Sequence, residues 1–477
     1  MFRPCVRRLA PYGRVTPGVM STLESICQCT DNPSVLERHG KDESYHECIP
    51  PSVVAFPEQV DEIQAIVRLC AEKRIPIIPY GTGTSLEGHI QALEGGITLD
   101  LGVKMNHILD ENTIDMVAKV QAGVTRKQLN TSLRYSGLEF AVDPGADASL
   151  GGMVACAASG TMAMSKGTMR ENTLGLEVIL PDGKLAQLGG RTKKSSAGYD
   201  LTRLFVGSEG TLGIITNATL RLHPLPARIA AIVVAFDGVR QAAEAVIYLL
   251  AMCSSGVLRR CEFLDPTTIR AFNHYQNYSD ESKLPERATL FIELGDATQE
   301  LLFAHIEIVR DLCLEIDNHA HFNASMDPQR SQELWAARHR TYYASLALKP
   351  NGKAVVTDTC VPLSQFAQVV QETVNTVHEF NIIGPVFGHA GDGNIHAILV
   401  HSDEDDEEYM KRIHECNARI VDIALAHGGT CTGEHGVGVG KIPYLKKQYP
   451  PPTIEAMATV KRAFDPLNIM NPGKIIL

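Results

Sequence analysis

Apolar residues recur at two periods along this chain, and the change from one to the other predicts its elements. After Pro57 and Glu58, the residues Val60, Ile63, Val67 and Cys70 fall at helical spacing, and Lys73 and Arg74 follow. This pattern buries one helix face and places cations where the C-terminal end of the helix dipole favours them. A short strand is expected at residues 75–78. Ile97, Leu99 and Leu101 alternate with Thr98 and Asp100, the pattern of a half-buried strand. Thr125 and Gln128 have the spacing of a capping box for another helix.

Beyond Pro224 and Pro226 the texture changes. Strand-like runs at 229–236, 289–294 and 355–361 each precede a helical stretch, the first two near 239–252 and 300–314. A pair of runs, 384–389 and 394–400, leads to a fourth helix that starts acidic at 403–408 and stops at Gly428-Gly429. Strands alternating with long helices predict a helix-covered sheet separate from the first half, with a boundary near residues 224–227. Ile454, Met457, Val460 and Phe464 mark a last amphipathic helix.

Composition narrows the function classes. A chain of 477 residues with 44% hydrophobic and 21% charged residues has material for two or three ordinary domains. No apolar run is long enough to span a bilayer. A net charge of −11 argues against nucleic acid, whose phosphates require a basic face. Any anionic substrate must therefore meet cations gathered locally. The twelve cysteines lack paired spacings apart from Cys27 and Cys29, which reads as reduced thiols. Residues 1–20 hold Arg3, Arg7, Arg8 and Arg14 and no carboxylate, resembling a mitochondrial transit peptide. Pro4, Pro11 and Pro17 interrupt its helix, so a disordered basic tail is the alternative.

The glycines gather in loops. Gly81-Thr82-Gly83-Thr84 follows a predicted strand, but its next glycine, Gly88, is misplaced for a Rossmann fingerprint. Gly433 to Lys441 fails as a Walker A loop because His435 stands where glycine is needed. Nicotinamide and ATP readings lose ground. A loop of glycines, hydroxyls and free N–H groups can wrap a diphosphate, although alone it is more often a simple turn. Further loops of the same kind occur at 144–152, 158–161, 167–168 and 207–215.

In their order these loops resemble the PCMH-type FAD-binding domain of the vanillyl-alcohol oxidase superfamily, in its D-lactate and glycolate dehydrogenase branch. The resemblance rests on PYGTGTSLEG, PGADASLGG, SAGYDLTRLFVGSEGTLGIIT and the closing Asn471-Pro472-Gly473-Lys474, and runs from about residue 50 to the end. It implies an α+β fold. A two-subdomain FAD domain (50–226) precedes a helix-covered antiparallel-sheet cap domain for substrate and metal (227–445). A C-terminal segment (446–477) returns to the FAD domain. FAD is expected to contact Pro79, Gly81, Thr82, Gly83, Thr84, Pro144, Gly145, Ser149, Gly152, Gly160, Thr161, Gly167, Ile215 and Asn471. Some relatives attach FAD through a histidine at the place of Thr84, so non-covalent FAD is expected.

Gly388-His389-Ala390-Gly391-Asp392-Gly393-Asn394-Ile395-His396 sets two imidazoles around a glycine turn, and Gly433-Glu434-His435-Gly436 adds a carboxylate and a third. Two histidines and a carboxylate suit a divalent transition metal, although either histidine alone reads as an ordinary polar residue at a strand end. The resemblance implies His389, His396 and Glu434 as ligands of one Zn²⁺ or Mn²⁺, and His435 as the base. Arg338 is expected to pair with a substrate carboxylate, assisted by Lys353 and Asn394; its alternative is a surface salt bridge. Tyr342 bears on pocket size. The implied reaction is oxidation of a D-2-hydroxy acid, with D-lactate foremost and D-2-hydroxyglutarate as the alternative. The implied electron acceptor is cytochrome c or electron-transfer flavoprotein. A flavin transferase resembling alkylglycerone-phosphate synthase and a non-catalytic flavoprotein are the competing classes.

Overall fold

The run at residues 97–101 forms the middle of the first sheet. In the computed structural model, which describes residues 11–252, 256–275 and 283–476, Ile97–Asp100 pairs in parallel with both Val53–Phe56 and Ile77–Tyr80. Gln28–Thr30 pairs antiparallel with Val53–Phe56 at the outer edge. Thr98 and Asp100 are buried as fully as Ile97 and Leu99, so the half-buried expectation is corrected. A parallel strand between two neighbours has both faces covered, and alternation does not report that. Asp100 is accommodated because His39 Nε2 lies 2.9 Å from one carboxylate oxygen. The other oxygen accepts the N–H groups of Gly102 and Val103.

Helix Val60–Lys73 covers this sheet with Ile63, Ile66, Val67 and Cys70, and Arg74 ends it in the left-handed region at φ 54°. Ile75 still donates to Cys70 O in the closing turn, so the next strand begins at Ile77, two residues later than expected. A helix at Pro17–Ile26, not foreseen, packs Val19 and Leu23 into the same core. The boundary expected at residue 20 therefore falls inside a docked helix. Of the leader arginines, Arg3, Arg7 and Arg8 lie outside the described residues.

The second subdomain is a five-stranded antiparallel sheet in the order Ile108–Asn112, Val117–Gln121, Ile214–Arg221, Thr173–Ile179, Leu185–Gly189. Thr125 Oγ1 accepts the Gln128 N–H at 3.2 Å, but the Gln128 side chain donates to Asn106 O, so only half of the capping box forms. The chain then crosses into a large antiparallel sheet. Its order is His321–Ser325, Arg228–Phe236, Ala288–Asp296, Leu258–Leu264, Val386–His389, Asn394–His401, Lys353–Val356. Val239–Met252, Gln299–Ile316, Leu363–Glu379 and Glu407–Ala426 supply its helices. The run 355–361 is split into Lys353–Val356 and Thr359–Cys360, because Thr357 and Asp358 are spent on buried polar contacts. Helix Pro451–Phe464 comes back to the second subdomain, with Phe464 edge-on to Phe205 at 5.6 Å. Lys461 Nζ there donates to Thr211 O and Met470 O.

Candidate active site

The two domains enclose a cavity of about 310 Å³. Four loops line it from the first domain, around residues 81–85, 144–152, 158–161 and 209–215. Of the residues expected at the cofactor, Pro79, Gly81, Thr82, Gly83, Thr84, Pro144, Gly145, Ser149, Gly152, Thr161, Ile215 and Asn471 line the cavity. Gly160 and Gly167 do not. At Gly160 a Cβ would sit 2.5 Å from the Asp143 backbone, so that glycine lets two loops touch. Gly167, at φ 77°, closes the short helix Ala163–Lys166.

The first loop lies against the second so closely that a Cβ on Gly81 would fall 2.2 Å from Ser149 Oγ. Gly83 is held at φ 70°, which favours glycine. Glycine and hydroxyl walls at this range suit a bound diphosphate, and the residues present fit FAD. Asn471 ties the tail to this wall by donating to His89 O and Glu209 O at 3.0 and 2.8 Å.

From the second domain the ends of Val386–His389 and Asn394–His401 bring two imidazoles together. His389 Nε2 and His396 Nε2 lie 3.1 and 3.2 Å from the same Glu434 oxygen. The ligand atoms of this trio fall within 4.8 Å of one another. Each histidine has its far nitrogen occupied. His389 Nδ1 is 2.9 Å from Glu262, and His396 Nδ1 is 3.3 Å from Thr357 O. That leaves both Nε2 atoms aimed inward, the usual arrangement around a bound metal. Burial opposes charge on His389, yet Glu262 and Glu434 raise its pKa well above the ordinary value. The site is therefore built to hold positive charge, and its donor set fits a divalent cation. A second grouping, Asp358 with His396 and His435, does not fit, because Asp358 is already saturated by hydrogen-bond donors.

His435 stacks on His396 at 5.0 Å and lines the cavity, with its Nδ1 buried and without a partner. Burial, helped by the charges of His396 and Lys441, pushes its pKa down to about 4. Arg338 packs over the Phe387 ring at 4.7 Å, and its Nη2 lies 2.5 Å from Glu262 Oε2. Glu262 thus occupies Nη2, while the buried Nε has no acceptor. Tyr342 lines the cavity beside it, its hydroxyl 3.4 Å from Glu43 O, and burial pushes its phenol up to about 12.

Two expected substrate contacts are corrected. Lys353 begins an outer strand, is half exposed and pairs with Asp403 at 2.6 Å, outside the cavity. Asn394 is buried behind the wall, where its amide donates to Asp358 and Thr359 O at 2.8 and 3.0 Å. Reasoning from sequence missed Asp143, Glu209, Glu262 and Asp358, all fully buried carboxylates. Only Glu209 and Asp143 carried a signal, since Glu209 sits inside the loop 207–215 and Asp143 immediately precedes the loop 144–152.

Residues 51–189 match the family described as FAD binding domain, and residues 225–475 match FAD linked oxidases, C-terminal domain. A probable mitochondrial D-lactate dehydrogenase of Danio rerio is 45% identical over 450 residues, 93% of this chain and 88% of that one. A mitochondrial D-lactate dehydrogenase [cytochrome] of Arabidopsis thaliana is 38% identical, over 98% of this chain and 81% of that one. The fold is that of p-cresol methylhydroxylase, at a TM-score of 0.76 and 18% identity over 98% and 99% of the two chains. Fold and cavity define a two-domain flavin-dependent oxidoreductase. The chain belongs to the family of FAD-linked oxidases that includes the mitochondrial D-lactate dehydrogenases.

Proposed function

We propose that this protein oxidises D-lactate to pyruvate in the mitochondrion, using non-covalent FAD and one divalent cation, and delivers the electrons to cytochrome c. The observation that carries the substrate assignment is Arg338, a buried cation held by Glu262 that lines the cavity together with His435 and the histidine–carboxylate trio. No other arginine or lysine lines that cavity among the described residues, so it offers one carboxylate site. Val356, Phe387 and Ile398 form an apolar wall that suits a methyl group better than a second carboxylate. This favours D-lactate over D-2-hydroxyglutarate.

Each residue then has a distinct task. Arg338 binds the substrate carboxylate and fixes which face of C2 meets the flavin. Glu262 orients Arg338 and His389 together. His435 is neutral at physiological pH, the form that can accept the hydroxyl proton, and it lines the cavity beside Arg338. Glu434, steadied by the Ser159 hydroxyl at 2.6 Å, would hold the cation with His389 and His396. When bound, the cation supplies Lewis-acid stabilisation of the developing alkoxide, and FAD supplies the hydride acceptor at N5.

Anaerobic bleaching of the flavin by a panel of D- and L-2-hydroxy acids tests the reading. D-lactate should bleach it fast and D-2-hydroxyglutarate at least tenfold more slowly; equal rates would sink the monocarboxylate assignment. Rigorous chelation should abolish bleaching by D-lactate, and Zn²⁺ or Mn²⁺ should restore it. Full activity after chelation removes the cation from the mechanism.

A further inference from the structure

The segment 432–441 carries Glu434 and His435, and both domains hold it through buried carboxylates. From the second domain, Asp358 Oδ2 accepts the N–H groups of Gly433, Glu434 and His435 at 2.9, 2.9 and 2.8 Å. The same oxygen accepts the Thr432 hydroxyl at 2.8 Å. From the first domain, Glu209 accepts the N–H groups of Val437 and Gly438 at 2.6 and 2.9 Å. The Glu87 carbonyl accepts the Val439 N–H at 2.9 Å. Gly438 passes so near that a Cβ there would lie 2.1 Å from Glu87 O.

Lys441 closes the segment. Its buried Nζ is 3.1 Å from Glu87 Oε1, 3.4 Å from Asp358 Oδ2 and 3.3 Å from Thr432 Oγ1. Glu87 lies behind the glycine loop, directly after residues 81–86, which line the cofactor cavity. One ammonium group thus touches the carboxylate that shapes the cation-binding loop and the carboxylate of the cofactor loop. In a low-dielectric interior these charges are stable only together, because displacing one leaves another unpaired.

We propose that Glu87, Lys441 and Asp358 are positioning residues that couple the two ligands, so that a cation at His389, His396 and Glu434 tightens FAD binding and FAD tightens cation binding. This rests on the cofactor and cation reading given above. The coupling is reciprocal by thermodynamic linkage.

The test uses holoenzyme stripped of cations by chelation and reloaded with Mn²⁺. Electron paramagnetic resonance reads Mn²⁺ binding, and flavin fluorescence on serial dilution gives the FAD dissociation constant. In the wild type Mn²⁺ should lower that constant about fivefold or more, the lower end of ordinary coupling. In a Lys441→Met/Glu87→Gln double variant, which removes the ion pair without stranding a charged Glu87, both ligands should still bind and the Mn²⁺ effect should vanish. A purely structural loss would weaken FAD equally with and without Mn²⁺ and leave the ratio unchanged. If the double variant fails to fold, Glu87→Gln alone carries the test and should reduce the ratio. Mn²⁺ binding with no change in FAD affinity in the wild type overturns the coupling, as does an unchanged ratio in the variants. A wild type that binds no Mn²⁺ overturns the cation reading, and the coupling falls with it.

Discussion

His435 and Asp143 show two uses of a buried ionisable side chain. His435→Ala should keep its FAD yet lose roughly 10²- to 10⁴-fold in the rate of flavin bleaching by D-lactate, the usual worth of a positioned acid–base group. Stopped-flow absorbance checks this, and unimpaired bleaching would move the base role elsewhere. Asp143 is held by partners of its own. Burial opposes its charge, but Arg260 at 3.4 Å, His339, and the Thr161 hydroxyl at 2.6 Å hold its pKa below the ordinary value. The stability it contributes is therefore complete above about pH 4 and drains away as pH falls towards its folded pKa. Asp143→Asn should cost about 1–3 kcal/mol at neutral pH, because Arg260 keeps only Glu293 as its carboxylate partner. It should also lose less of its stability between pH 5 and pH 3 than the wild type does. Denaturant midpoints across that range decide the matter; parallel acid profiles would deny Asp143 its role.

At the scale of elements, periodicity located most helices well, and its misses have physical causes. The helix Val239–Met252 has one wet face and one dry, which its sequence states directly. The strand Ile97–Asp100 does not, because buried Asp100 is hydrogen-bonded to His39, more than fifty residues away. Helix Pro17–Ile26 was hidden by the Arg-rich character of the residues before it. Thr16 caps it, and Val19 and Leu23 are buried. A chain begun at residue 21 would lose Val19 and that cap, roughly 2–4 kcal/mol together. It should melt at a clearly lower temperature than the full chain, and equal melting in a thermal scan would show that the helix docks for nothing. By the same reasoning the mature N-terminus isolated from mitochondria should precede Tyr12, whose hydroxyl donates to Asn468 O at 2.8 Å.

For the whole molecule, charge is the property most plainly carried by composition. A net charge of −11 should draw a basic acceptor by long-range attraction, which salt screens over about 10 Å at 0.1 M. Reduction of cytochrome c by the D-lactate-reduced protein should therefore slow severalfold between 50 and 200 mM salt. A salt-independent rate would argue for an acceptor recognised through apolar contact.

The sequence by itself determined most of the order of the elements, the glycine loops and the two motifs that carry three imidazoles, because period, turn chemistry and residue type are local properties. Arg338 and His435 were legible because each stands beside other chemistry-bearing residues. Tertiary structure alone decided which of these meet. It put Lys353 on an outer strand with Asp403 and turned Asn394 towards Asp358. It also recruited Glu262 and Asp358 from segments with no motif of their own. A buried carboxylate is tolerated only where distant donors converge on it, and that convergence exists only once the two domains have closed around the cavity.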